Sequence, residues 1–209
     1  MPIERQDIVG VLLAGGQSRR MGGGDKSLRM LAGRPILSHV IERVRGQVGT
    51  MVLNANGDPS RFSDFGLPVV ADVIPGHQGP LAGVLTGMMW AKEHVLDAEW
   101  ILTVATDAPF VPEDIAGRLT AAIEAEGADL ACAESGGRNH PVIGLWPVRL
   151  AGNLRSAVLD QEIRKVDRWT ANFRLSVVHF ADEPTDPFFN INHPDDIQRA
   201  ENALKLAIK

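Results

Sequence analysis

Apolar and polar positions fall in blocks along this chain. Ile8–Leu13 is apolar almost without interruption, the pattern of a strand buried on both faces. Pro35 suits the first turn of a helix in which Leu37, Val40, Ile41, Val44 and Val48 share one face. Runs at 50–53 and 67–71 predict two more strands, and 81–95 predicts a helix. Trp100–Ala105 then reads as a strand, 112–126 as a helix, and 129–133 and 142–146 as strands. Residues 148–172 read as an interrupted helical region, Leu175–Phe180 as a strand, and 194–208 as an amphipathic terminal helix. Strands alternating with helices predict βαβ units, hence an α/β fold with a mostly parallel sheet between helical layers. No repeat or low-complexity linker divides the chain, so one domain spanning 1–209 is expected.

Polar residues stand at the ends of these strands. The first runs into a Gly-rich loop, the second into Asn54, the third into Asp72, and the strand at 100–105 into Thr106-Asp107. Parallel strands end on a common edge, and open α/β sheets bind ligands outside that edge. Any one Asn or Asp there could be a turn residue or a helix cap. Four together predict a crevice.

Composition narrows the ligand. With 21 Lys plus Arg against 26 Asp plus Glu, the chain carries a formal charge of −5, which disfavours nucleic acid as a partner. An anionic ligand then needs cations gathered locally. A single cysteine, Cys132, excludes an intrachain disulfide and a Cys-cluster zinc site and fits a reducing compartment. No run is long and apolar enough to span a bilayer, and the first residues carry charges where a signal peptide has its apolar core, so a cytoplasmic location without membrane contact is expected.

The loop from Leu13 to Lys26 reads LAGGQSRRMGGGDK, and residues 15–24 hold five of the 21 glycines. Glycines let backbone N–H groups approach a phosphate, while Arg19, Arg20 and Lys26 supply local positive charge. Asp25 precedes Lys26 where a Walker A motif needs Gly, and no GxGxxG is present, so both common phosphate fingerprints fail.

These residues resemble the signature loop of the molybdenum cofactor guanylyltransferases, which attach GMP to molybdopterin. The resemblance continues at Asn54-Ala55-Asn56, Asp72, Gly79-Pro80-Leu81-Ala82-Gly83 and Thr106-Asp107-Ala108-Pro109-Phe110. It recurs at His140-Pro141-Val142-Ile143-Gly144-Leu145-Trp146 and Phe189-Asn190-Ile191-Asn192-His193-Pro194, so it spans nearly the whole chain in order. Thr106 departs from a common Cys, and Gly22-Gly23-Gly24 is one residue longer than the commonest spacing.

The resemblance implies a three-layer, Rossmann-like nucleotidyltransferase fold of the nucleotide-diphospho-sugar transferase type. It implies GTP bound through Leu13, Ala14 and Gly15, with Asn54 and Asp72 near guanine and ribose, and Lys26 on the phosphates. Asp107 matches a Mg²⁺ ligand, and Arg19, Lys26 and Asp107 form the catalytic set. Asn190 and Asn192 fall near the reaction centre. Molybdopterin is the implied second substrate, with transient contact to proteins that mature molybdoenzymes. For the acceptor, the remaining obvious cationic cluster is Arg164-Lys165 with Arg168, which joins Asn190 and Asn192 as the expected acceptor half. Alternatives are a cytidylyltransferase acting on the same cofactor, a sugar-phosphate nucleotidyltransferase, and a nucleotide-binding partner without turnover.

Other features read more simply. The six histidines lack metal-binding spacing, Cys132 reads as a small buried hydrophobe, and Met88-Met89-Trp90 as core. Asp195-Asp196 reads as first-turn helix charge, and 135–139 as a turn.

Overall fold

The architecture follows from where the apolar runs can hide. The computed structural model describes residues 2–15, 25–76 and 79–207. In chain order the strands are β1 (Ile8–Leu13), β2 (Met30–Leu31), β3 (Arg34–Pro35), β4 (Thr50–Asn54), β5 (Val69–Val70), β6 (Trp100–Ala105), β7 (Leu130–Ser135), β8 (Arg138–Pro147) and β9 (Leu175–Phe180). The helices are α1 (Ile36–Arg45), α2 (Pro80–His94), α3 (Ile115–Glu126), α4 (Ala151–Leu159), α5 (Val166–Thr170) and α6 (Pro194–Ala207). Every residue of β1 is buried, as an unbroken apolar run requires, and β1 lies inside the seven-stranded sheet β5-β4-β1-β6-β8-β7-β9. Neighbours pair in parallel except on the two sides of β8, which alone runs backwards.

Helices cover both faces. Leu37, Val40 and Ile41 of α1 and Ile115 and Leu119 of α3 pack in one core with Leu12, Leu102 and Leu145. On the other face Leu81 and Leu85 of α2, Leu154 of α4 and Trp169 of α5 pack with Val11, Ile101 and Trp146. This is the expected three-layer α/β/α arrangement. Helix α2 lies close on β1: a Cβ on Gly87 would stand 2.6 Å from Val11 Cγ2, and one on Gly83 would stand 2.8 Å from Leu13 Cδ2. Trp146 is fully buried, and its indole Nε1–H donates to Thr103 Oγ1 at 2.7 Å. That bond removes the cost of hiding a lone donor.

Several expectations change. Pro35 does not open the first turn of a helix; it ends β3 with extended angles (φ −56°, ψ 142°), and α1 begins at Ile36, so Val48 lies beyond it. The β2–β3 hairpin was not expected; it turns through Ala32 and Gly33, both at positive φ. The strand expected over 67–71 shortens to Val69–Val70, because Pro68 offers only its carbonyl, which accepts from Leu53 N–H. The helix expected from 112 starts at Ile115. The polar stretch at 135–139 is a tight hairpin connection, with Gly136 (φ 55°) and Gly137 (φ 74°) supplying the left-handed conformation that a two-residue turn needs. A satellite core of Leu31, Ile36, Ile191 and Ala200 ties this first hairpin and α6 to the segment before α6.

Candidate active site

Because β1, β4, β5 and β6 are parallel, their carboxyl ends share one edge, and the polar residues that follow them meet there. Beyond β1 the ladder continues briefly on both sides. Ala14 N–H donates to Asn54 O at 2.9 Å, while Thr106 donates to Leu13 O through its N–H at 3.3 Å and its hydroxyl at 3.2 Å. The Leu13 carbonyl and the Ala14 N–H are therefore committed to the sheet. Any backbone contact from this segment to a base falls to the Ala14 carbonyl and to Gly15.

Asn54 and Asp72 are locked together. Asn54 Nδ2 donates to Asp72 Oδ1 at 2.9 Å and to Val70 O at 3.2 Å. Asn56, two positions on and hence on the same side of an extended chain, donates to Asp72 Oδ2 at 2.7 Å and accepts from Asp72 N–H at 2.9 Å. Arg61 donates to the Asn56 carbonyl and pairs with Asp25 at 2.9 Å, so the same network reaches the residue before Lys26. Asn56, Arg61 and Asp25 were not singled out as site residues. The Asn-Ala-Asn spacing carried a signal for Asn56; nothing local marked Arg61.

The second group centres on Lys26. Its Nζ donates to Asn192 Oδ1 at 2.6 Å and lies 3.7 Å from Asp107 Oδ2. Burial pushes the Asp107 carboxyl above its ordinary value, against the opposing pull of Lys26. Ile191 N–H donates to Asp107 O at 3.0 Å, which holds the Asn190–Asn192 segment against the end of β6. Asn190 Oδ1 is buried and has no hydrogen-bond donor among the described residues. Asp196 closes the group from α6. Burial raises its carboxyl, but N–H donation from Asn192 and His193, each at 2.9 Å, and nearby Arg199 bring it below the ordinary range. Asp195 and Asp196 lie in the first turn of α6, as the sequence leads one to expect.

Asn192 thus bonds Lys26 directly and adjoins Asp107 through the Ile191 backbone, near the reaction centre as the resemblance implies, and the structure gives it no bond to Arg164 or Lys165. Those two are exposed in the connection from α4 to α5, and Lys165 immediately precedes α5. The Arg164 carbonyl lies 3.7 Å from where a Cβ on Gly79 would stand, so this connection borders the start of α2. Arg168 is exposed on α5. Arg19, like the rest of 16–24, lies outside the described residues. Among the described residues no three His, Cys, Asp or Glu side chains gather into a metal cage. Cys132 is buried as expected, its thiol pushed up to about 11, first by burial and then by Asp167. His39 Nε2–H donates to the Leu31 carbonyl at 2.9 Å, a packing role.

The MobA-like NTP transferase domain matches residues 10–175, which takes in the strand-end residues just described. The chain belongs to that family. Among similar proteins are a molybdenum cofactor guanylyltransferase from Bradyrhizobium, 54% identical over 95% of this chain and 94% of that one. Another of the same name from Nitrobacter hamburgensis is 50% identical over 99% of both chains. The solved structure of molybdopterin-guanine dinucleotide biosynthesis protein A from Archaeoglobus fulgidus superposes with a TM-score of 0.72 at 25% identity, covering 95% of this chain and 99% of that one. CMP:2-keto-3-deoxy-manno-octonic acid synthetase shares the fold, with a TM-score of 0.69 at 14% identity over 96% and 98% of the two chains. The strand-end residues from Leu13 to Asp107 all lie within the span matched by the MobA-like family. Membership also makes this chain a nucleotidyltransferase by kinship, with the fold the resemblance implied.

Proposed function

We infer that this protein transfers GMP from GTP to molybdopterin, forming molybdopterin guanine dinucleotide and releasing pyrophosphate. The observation that carries this reading is the near-complete match to relatives that bear the guanylyltransferase name. The geometry gives that reading a mechanism. GTP lies along the carboxyl edge, its base toward the Ala14 carbonyl and Gly15 and its sugar toward Asn54 and Asp72. A terminal phosphate oxygen of molybdopterin attacks the α-phosphorus. A new P–O bond forms as the bond to the β-phosphate oxygen breaks, and its electron pair leaves with pyrophosphate. No general base is needed, because the attacking oxygen is already ionised. Lys26, steadied by Asn192, neutralises charge that builds on the phosphates, with Arg19 in the same role.

The residues present fit a Mg²⁺ ion. Asp107 is a carboxylate whose ionised form burial disfavours, and Asn190 Oδ1 is a buried oxygen without a donor among the described residues. Such a small oxygen set suits an ion that keeps several waters and binds substrate phosphates. Bound there, Mg²⁺ would polarise the phosphoryl oxygens and offset charge on the leaving group.

Nucleotide choice is the first test. GTP should raise Tm clearly more than CTP or UTP, because a site that hydrogen-bonds one base leaves polar groups unpaired with another. Pyrophosphate release with each nucleotide, in the presence of molybdopterin, should follow the same order. Equal stabilisation by GTP and CTP would instead point to the cytidylyltransferase alternative, and binding without release to a non-catalytic partner.

For the acceptor, the connection that carries Arg164 and Lys165 borders the start of α2 at Gly79, and both are exposed cations of the kind an anionic pterin phosphate needs. Lys165→Ala should weaken apparent molybdopterin affinity by roughly 10-fold or more, the loss of one charge-assisted hydrogen bond, and leave GTP affinity unchanged. Separate titrations decide it: a defect confined to GTP would reverse this assignment.

A further inference from the structure

A second polar group lies at the same edge, and the transfer chemistry does not use it. Ser135, the last residue of β7, is 2% exposed, and its Oγ is 2.7 Å from His140 Nε2 and 2.7 Å from Asp186 Oδ1. Ser, His and Asp are the residue types of a hydrolase triad, but the connectivity is wrong for one. In a triad the imidazole sits between hydroxyl and carboxylate; here the hydroxyl sits in the middle. It has one proton, and the carboxylate can only accept, so Ser135 donates to Asp186 and His140 donates to Ser135 through Nε2–H. Asp186 Oδ1 also accepts from Phe188 N–H at 2.9 Å.

The direction of this chain of bonds matters because of what Asp186 precedes. Phe189 N–H donates to Asp186 O at 3.1 Å, and the His140 ring packs 4.7 Å from that of Phe188, which is itself 1% exposed. Asp182 reaches the same hairpin, its Oδ2 lying 3.0 Å from where a Cβ on Gly136 would stand. Three residues beyond Phe188, Ile191 is bonded to Asp107, and the next residue is the Lys26 partner Asn192. The segment 186–192 is therefore pinned at one end by the β7–β8 hairpin and at the other by β6 and α6. Burial lowers the basicity of His140, against the raising effect of Asp186.

We propose that His140, Ser135 and Asp186 are positioning residues for the transfer step, holding the 186–192 segment so that Asn190 and Asn192 meet Lys26 and Asp107. This rests on the GMP-transfer reading above. The base and sugar side of the crevice is built from other elements, so the network should govern turnover and not GTP capture.

Two substitutions at one position separate a positioning role from simple packing. His140→Phe keeps a ring against Phe188 and removes the donor; His140→Gln removes the ring but can place a donor near Nε2. With the full-length protein, GTP, Mg²⁺ and molybdopterin, His140→Phe should lower kcat by roughly 10- to 100-fold with the KM for GTP within about twofold of wild type, since small misplacements at a reacting centre carry costs of that order. His140→Gln should recover most of that loss. Ser135→Ala should reproduce the His140→Phe defect. Nitrogen NMR of the imidazole in the nucleotide-free protein should show the neutral Nε2–H tautomer, a readout independent of turnover. Unchanged kcat in folded His140→Phe, a GTP KM rising in step with the loss of kcat, or a neutral Nδ1–H tautomer each overturns the proposal. Absence of pyrophosphate release from GTP by the wild-type protein would overturn the function itself, and the tautomer result would still stand or fall alone.

Discussion

Asp107→Asn is expected to slow GMP transfer by about 10²- to 10³-fold, the effect of losing one preorganised electrostatic group. It should do so without destabilising the ligand-free protein. Burial raises the folded-state pKa of this carboxyl, so its ionised form is worse placed in the folded chain than in the unfolded one. The sign follows: the favourable contribution is complete below the unfolded-state pKa and is lost as pH rises through the higher folded-state value. Above that folded-state value the wild type has lost it, and there the neutral amide should melt at the same temperature or higher. Melts at about pH 4 and about pH 7 should show the variant gaining on the wild type at the higher pH. Near-normal turnover at low Mg²⁺ would remove Asp107 from the site, and a Tm several degrees lower at neutral pH would contradict the electrostatic account.

Gly83→Ala should weaken GTP binding by about 10-fold, and Gly87→Ala, one helical turn on, should cost stability alone. A Cβ at Gly83 would stand 2.7 Å from Asn54 Oδ1 and 2.8 Å from Leu13 Cδ2. Asn54 cannot give way cheaply, because its Nδ2 is bonded to Val70 O and Asp72. At Gly87 the obstacle is the Val11 side chain, buried and away from the strand end. Overpacking of this kind costs about 1–3 kcal/mol, and each 1.4 kcal/mol is tenfold in affinity when it falls on a ligand contact. The GTP KM and the Tm of both variants are the measurements. Matching losses of Tm with an unchanged GTP KM in Gly83→Ala would separate Asn54 from the nucleotide.

Most of the sheet was legible because its strands are short apolar runs buried on both faces, with Ile8–Leu13 the clearest. The convergence of Gly15, Asn54, Asp72 and Asp107 was legible for a topological reason: parallel strands can only end together. The Met30–Pro35 hairpin was not, since two residues per strand leave no period to read and its turn places Ala32 at φ 48°, a conformation that an Asn or Gly would have announced. Pro35 misled because a proline angle suits both a first helical turn and the extended residue before it. The reversal of β8 also escaped, although Ser135 and Arg138 flank a Gly-Gly pair that suits a two-residue hairpin. The Lys26–Asn192 bond lay beyond sequence reasoning on the residues themselves. It joins positions 166 apart, brought together by tertiary packing of 189–191 beside the first hairpin and by the Ile191 bond to Asp107.

That same bond has a consequence for how the chain becomes functional. Chain synthesis supplies Lys26 early and Asn192 among the last structured residues, while β1 must find β4 and β6 across long separations before the crevice has walls. Such distant pairings require loop closure before they return any stability, and they form slowly. The β7–β8 hairpin, joined by two residues, is the most local pairing in the main sheet, and it carries the anchor for the segment that bears Asn192. A nascent chain that has folded through α3 therefore holds the base and sugar side of the site with its phosphate lysine beside Asp107 but still without Asn192. Competence for transfer arrives last, when the carboxyl-terminal segment docks on the finished edge.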